Sequence, residues 1–250
     1  MHVTALRTYS ILVLFLAWLL LSFLFSPQVL PGPVPVFQTI WENMASGEGL
    51  YHIYKTVFRV VLGLLIAMVI GSVFGVLMGI SVKAEKFFES WVMVGLTIPA
   101  VVYAIITLLW FGLNDSAAII AIGVTAFPAV AINMWQGVKD IDMQVITMAK
   151  AFQIPRADVI RKVVLPQTVP YLLAATRYAL GISWKIATTV ELIGMSSGVG
   201  YMLNYWFGLF SMVQVLAWTL SFTLVLLAIE FLLINPFEKR ATAWRAVVQV

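Results

Sequence analysis

Covalent chemistry has little to work with in this 250-residue sequence, which contains no cysteine and only two histidines, His2 and His52. Thiolate nucleophiles, disulfides, iron–sulfur clusters and cysteine zinc sites are excluded together, and His-based triads or metal clusters are poorly supplied. Ser183, Ser196 and Ser197 have no histidine nearby in sequence to activate them. Glu191 and Glu230 fall toward the ends of apolar runs, where pairing or solvation suits a carboxylate better than a proton relay. There is no G-x-x-x-x-G-K followed by Ser or Thr, so no loop of that type cradles a nucleotide.

What remains is recognition. Between Val138 and Pro166, Val145, Met148, Ala149 and Phe152 fall on one helical face, with Gln144, Thr147, Lys150 and Ala151 around the rest. Asp140 or Asp142 can cap the start. Gln153-Ile154-Pro155 ends this helix, because proline disfavours helical geometry for the residue before it. A second short helix is predicted from Arg156 to Val164, closed by Leu165-Pro166. Such a basic, amphipathic pair either lies on a bilayer surface or docks in a partner's groove, and periodicity alone leaves both readings open.

The elements that must hold this loop are apolar. Hydrophobic residues make up 62% of the chain, charged residues 10%, and mean hydropathy is +1.00, whereas a soluble domain is roughly a quarter charged. A span needs about 20 mostly apolar residues, and runs near Tyr9–Phe25, Thr56–Ile80, Trp91–Leu113, Ala117–Gly137, Val169–Leu192 and Val213–Ile234 satisfy this. The expectation is an all-α membrane protein with about six transmembrane helices. The first run is longer than a signal-peptide core and lacks an A-x-A-like site, so it reads as retained. Pro27 to Tyr51, with four prolines, reads as an extramembrane loop.

Threading from a cytoplasmic amino terminus places 11 of the 15 Lys and Arg, among them Arg7, Lys139, Lys150, Arg161, Lys162 and Arg245, on one side. The positive-inside rule makes that side the cytoplasm, with both termini in it. The net charge of +4 therefore reads as membrane orientation, and no basic stretch suits nucleic acid. Arg177 and Lys185 interrupt the fifth span, and each costs at least about 2.5 kcal/mol near a bilayer centre unless something compensates. Gly71, Gly75 and Gly79 share a helix face that lets another backbone approach, within the chain in preference to a dimer seam. Thr97-Ile98-Pro99 predicts a kink in the third span, with Pro99 freeing a carbonyl.

Thr147-Met148-Ala149-Lys150-Ala151-Phe152-Gln153, then Arg156 and Arg161-Lys162-Val163-Val164-Leu165-Pro166, resembles the EAA loop of binding-protein-dependent ABC importer permeases. Thr56 to Gly63, Thr97-Ile98-Pro99 with Leu109 to Leu113, Arg177, Leu180-Gly181, Trp184, Glu191 and Gly198 to Tyr201 resemble its nitrate/sulfonate/taurine/bicarbonate branch, so the likeness covers roughly 51 to 234. Thr147 and Gln153 depart from it, standing where the loop pattern has glutamate and glycine.

The resemblance implies a type I ABC importer (MetI-like) permease in the bacterial plasma (inner) membrane. Residues 1–50 would be an N-terminal helix and outer loop, 51–237 the permease core with coupling loop 138–166, and 238–250 a cytoplasmic tail. Thr147, Ala149, Lys150, Phe152, Gln153, Pro155, Arg161, Leu165 and Pro166 would couple to two ABC ATPase subunits that bind ATP and Mg, with no cofactor on this chain. Pro99, Tyr103, Trp184 and Glu191 would belong to the translocation path or its gate. A second, identical permease copy, membrane lipid and a periplasmic or lipid-anchored solute-binding protein complete the implied partners. The competing function is an ion-coupled secondary transporter, which would normally show repeated halves and intramembrane carboxylates.

Overall fold

The computed structural model describes residues 2–241; residues 242–250 of the expected tail, Arg245 included, lie outside the described residues. All regular structure among them is helical: α1 (His2–Leu24), α2 (Pro33–Ala45), α3 (Glu48–Ile80), α4 (Val82–Thr97), α5 (Ala100–Phe111), α6 (Asp115–Lys139), α7 (Met143–Ala151), α8 (Arg156–Val159), α9 (Leu165–Gly194), α10 (Val199–Gly208), α11 (Met212–Ile229) and α12 (Asn235–Ala241). Two π-helical turns, Ile160–Val164 and Glu230–Ile234, join α8 to α9 and α11 to α12. Three stretches, Glu48–Ile80, Asp115–Lys139 and Met212–Arg240, are long and apolar enough to cross a membrane alone. Two broken pairs, Val82–Thr97 with Ala100–Phe111 and Arg156–Gly194 with Val199–Gly208, bring the count to five, and Tyr9–Leu24 is a shorter apolar helix.

The third expected span is thus no straight helix. It breaks between α4 and α5 with a bend of 95°, well beyond a kink. Ile98 is extended at φ −67° and ψ 126° because Pro99 follows it. The expected loop from Pro27 to Tyr51 also differs from its expected form, since α2 fills its middle. Pro33 and Pro35 stand in the first turn, where a helix needs no N–H donors.

Leu165-Pro166 does not close the second loop helix either. The chain continues into α9 through the π turn, in which the Leu165 amide donates to Ile160 O. A proline ring clashes with the carbonyl four residues back, and the wider turn relieves that clash. The same solution recurs before Pro236, where the Asn235 amide donates to Glu230 O.

The chain divides into two compact units, Met1–Thr56 with Glu191–Leu226, and Val57–Val190 with Leu227–Val250. In the second unit, α3 and α6 pack backbone to backbone. A Cβ added at Gly71 would lie 2.6 Å from Val130 Cβ, and one at Gly75 would lie 2.5 Å from Ala131 O, so only glycine permits the approach. Gly63 and Gly79 meet Ile122 and Val138 in the same way. The Gly71, Gly75 and Gly79 stripe therefore serves packing within the chain. Around it, Ala67, Ala126, Ala175 and Ala179 pack with Val130 and Met134 in a core whose four alanines let α3, α6 and α9 lie close. In the first unit, Trp18 Nε1 donates to Pro31 O at 3.1 Å and Asn43 Nδ2 to Gln214 Oε1 at 2.9 Å, tying α1 to the segment before α2 and α2 to α11.

Candidate functional site

Residues 138–166 run from the end of α6 through the short helix α7 and a left-handed turn into α8, which continues through the π turn into α9. Asp142 caps α7, its Oδ1 accepting from the Gln144 and Val145 amides at 2.8 and 3.3 Å. At the other end Gln153 takes φ +54°. The Ile154 amide donates to Ala149 O and the Gln153 amide to Lys150 O, both at 3.0 Å, which is the paired bonding of a Schellman cap. The turn that a glycine would make is thus made by a residue with a side chain. Gln153→Gly is expected to raise stability by about 1 kcal/mol, because non-glycine residues carry a penalty of that order at φ > 0; thermal unfolding in detergent reads it, and an unchanged or lower midpoint would count against it.

The loop is anchored at its base. The Asp142 amide donates to Gln167 Oε1 at 2.9 Å, the Tyr171 hydroxyl donates to Asp140 Oδ2, and Lys139 pairs with Glu85 at 2.6 Å. Lys162 and Asp158 form an exposed pair at 3.1 Å, one turn apart.

From this base an apolar surface points away from the chain. Phe152 is 75% exposed, and Met143, Met148, Ile154, Ile160 and Leu165 are exposed as well. Thr147, whose hydroxyl donates to Met143 O at 2.8 Å, and Lys150, Gln153, Pro155 and Arg161 are exposed around the same turn, with Pro166 half-buried at its edge. Ala149 is different: at 5% exposure it packs inward, so its small size lets α7 lie against the chain.

The four residues considered for a path fall in different surroundings. Pro99 lines a cavity of about 360 Å³ at the α4–α5 break. The Tyr103 hydroxyl donates to Gly95 O at 3.0 Å, a strap across that break. Trp184 is buried in α9, and Glu191 is 1% exposed.

Glu191 belongs to a buried set that sequence reasoning did not assemble. Three consecutive amides at the start of α10 each meet one side chain: Gly198 N–H donates to His52 Nδ1 at 2.9 Å, Val199 N–H to Thr56 Oγ1 at 2.8 Å, and Gly200 N–H to Glu191 Oε2 at 3.0 Å. Thr56 Oγ1 in turn donates to Glu191 Oε2 at 2.8 Å. These donors lack intrahelical partners, so the three side chains satisfy a buried helix start. His52 and Thr56 are one turn apart on α3, a spacing visible in the sequence, but their partners in this set lie 135 or more residues away.

Residues 67–240 match the family model described as binding-protein-dependent transport system inner membrane component. SsuC of Bacillus subtilis, described as an aliphatic sulfonates transport permease protein, is 32% identical over 178 residues, 71% of this chain and 64% of that protein. SsuC of Escherichia coli is 34% identical over 71% of this chain and 67% of its own length. The taurine transport system permease protein TauC of Escherichia coli is 26% identical over 90% of this chain and 84% of its own length. The chain thus spans about two thirds of the length of the SsuC relatives. Among solved structures, the MetNI methionine ABC transporter in inward-facing conformation aligns with a TM-score of 0.65 at 19% identity, covering 76% of this chain and 94% of that one.

Proposed function

The chain belongs to the family of binding-protein-dependent transport system inner membrane components, and from that membership we propose that it is the permease subunit of an ATP-driven solute importer, coupled to its ATPases through residues 138–166. The observation that carries the coupling assignment is the apolar surface around the Gln153 turn, with Phe152 at its tip 75% exposed. An apolar face on an anchored helical pair suits insertion into a partner's groove, because burial of the ring returns the free energy its exposure withholds. In this reading the loop side is cytoplasmic, and two ATPase subunits bind ATP and Mg and grip the loops of two permease copies. A solute-binding protein delivers cargo from the other side. This chain supplies the passage and the lever, and the phosphate chemistry belongs to the partner.

The sulfonate and taurine permeases among its relatives make a small polar solute of that kind the first to try as cargo.

Phe152→Glu tests the lever. Its charge falls on an exposed position, so insertion and folding are expected to survive while co-purification of the ATPase from detergent falls about tenfold or more. Ala149 is unsuited to the same test, because a charge there strikes the packed side of α7. If no ATPase co-purifies with the wild-type chain, the importer reading fails and an ion-coupled secondary transporter takes its place. If Phe152→Glu binds the ATPase as well as wild type does, the importer stands and the docking face is elsewhere.

A further inference from the structure

Two basic residues interrupt α9, and the structure treats them differently. The Arg177 guanidinium is met by Glu230 at 2.9 Å, Glu238 at 2.6 Å and Asn235 at 2.6 Å, so its charge is balanced within the chain. Lys185 lies two turns further along, and among the described residues it forms no ion pair. A lone ammonium at that depth is expensive in lipid and is kept where it lines a water-filled space or meets an anion.

Lys185 lines two cavities. One cavity of about 500 Å³ runs along α9 past Arg177, Gly181 and Lys185, and another of about 360 Å³ opens at the break between α4 and α5. Both share Tyr178, Ile182 and Lys185, so Lys185 stands where the two adjoin. The second cavity has no carboxylate in its lining. Its other polar side chains are the hydroxyls of Thr97, Thr125 and Tyr178, and the remaining wall is apolar side chains and backbone at the start of α5. In the first cavity the one acidic residue, Glu238, is already engaged by Arg177.

We infer that Lys185 is a charge-selecting residue, and that the cavity at the α4–α5 break takes an anionic group of the transported solute. This rests on the permease reading and adds to it a second point of selection, in the passage itself, beyond the solute-binding protein. A lipid phosphate would offer the ammonium the same chemistry, and the test separates the two sources.

The chain has no cysteine of its own, so a single introduced thiol reports on the cavity alone. Thr97→Cys places it in the wall opposite Lys185 at an exposed position, with Ile182→Cys as a second reporter should the first fail to assemble. The intact complex, in neutral phosphatidylcholine bilayers, is reacted with a sulfonate-bearing and a trimethylammonium-bearing methanethiosulfonate of similar size. A unit charge within roughly 10 Å across partly wet space changes their rate ratio on the order of tenfold. The ratio of anionic to cationic reaction is expected to fall about tenfold on Lys185→Gln and to recover with Lys185→Arg.

A ratio indifferent to residue 185, or a cavity neither reagent enters, overturns the inference. A ratio lost when phosphatidylglycerol replaces phosphatidylcholine assigns the ammonium to lipid and overturns the solute assignment. ATPase co-purification is scored on the same preparations. Its failure in wild type sinks the permease reading, whereas a bound ATPase with an indifferent ratio sinks only the role of Lys185.

Discussion

Gly198→Ala is expected to be the most damaging single methyl group that can be added to this protein. Gly198 sits at φ +111° and ψ 170°, a region essentially closed to residues with a Cβ, at a penalty of about 1 to 3 kcal/mol. The added carbon would also overlap the Glu191 carboxylate. That carboxylate cannot swing aside, because it accepts from both Thr56 Oγ1 and the Gly200 amide. Moving it would leave buried donors unsatisfied, at about 1 to 3 kcal/mol each. Strain and displacement together are expected to total on the order of 4 kcal/mol, read as a lowered midpoint of thermal unfolding in detergent. Gly208→Ala is the control: it stands in open space with an ordinary backbone and should be nearly neutral. Equal midpoints for the two variants would show that the α10 cap does not hold the fold.

Arg59→Leu should follow closely. Arg59 is 1% exposed, and its Nη2 and Nε donate to Asp115 Oδ1 at 2.6 and 2.8 Å. Removing one member of a buried pair is worth about 3 to 5 kcal/mol because the other is left uncompensated. Asp115 retains some contact with solvent at 36% exposure, which moves the expectation to the lower end, about 3 kcal/mol. Asp115→Asn is expected to be milder alone and to add little on top of Arg59→Leu. A coupling energy near zero across that double-mutant cycle would mean that the pair, though close, does not hold the start of α6 to α3.

Much of the fold class was legible because lipid imposes it. Backbone groups in a bilayer must be satisfied within the chain, so apolar runs of about 20 residues can only be helices. The loop helices were legible for local reasons: Asp142 is one of the two caps the sequence offered, and Pro155 limits what precedes it. The break at Pro99 was visible, but its 95° was not, because a proline removes one hydrogen bond without saying how far the chain then turns. Pro166 misled in the opposite direction. It looked like a stop, and the π turn before it let the helix continue. That Arg177 is balanced within the chain while Lys185 lines two cavities had no signature at all, since both are single cations in one apolar run.

The sequence by itself determined that this protein lives in a membrane, that it resembles the binding-protein-dependent permeases, and that Gln153-Ile154-Pro155 ends the first loop helix. Spans and helix ends depend on composition, period and neighbouring residues within a few turns of chain, whereas the family likeness rests on motifs spread over roughly residues 51 to 234. Only the tertiary structure decided which polar groups meet: His52, Thr56 and Glu191 on the three buried amides of α10, Asp115 on the buried Arg59, and two half-exposed glutamates on Arg177. Except for Glu191 with Gly200, these partners stand more than 50 residues apart, and nothing local selects one of many distant acceptors. Packing makes that choice, because burying a polar group is tolerable only where the fold brings its counterpart within hydrogen-bond distance.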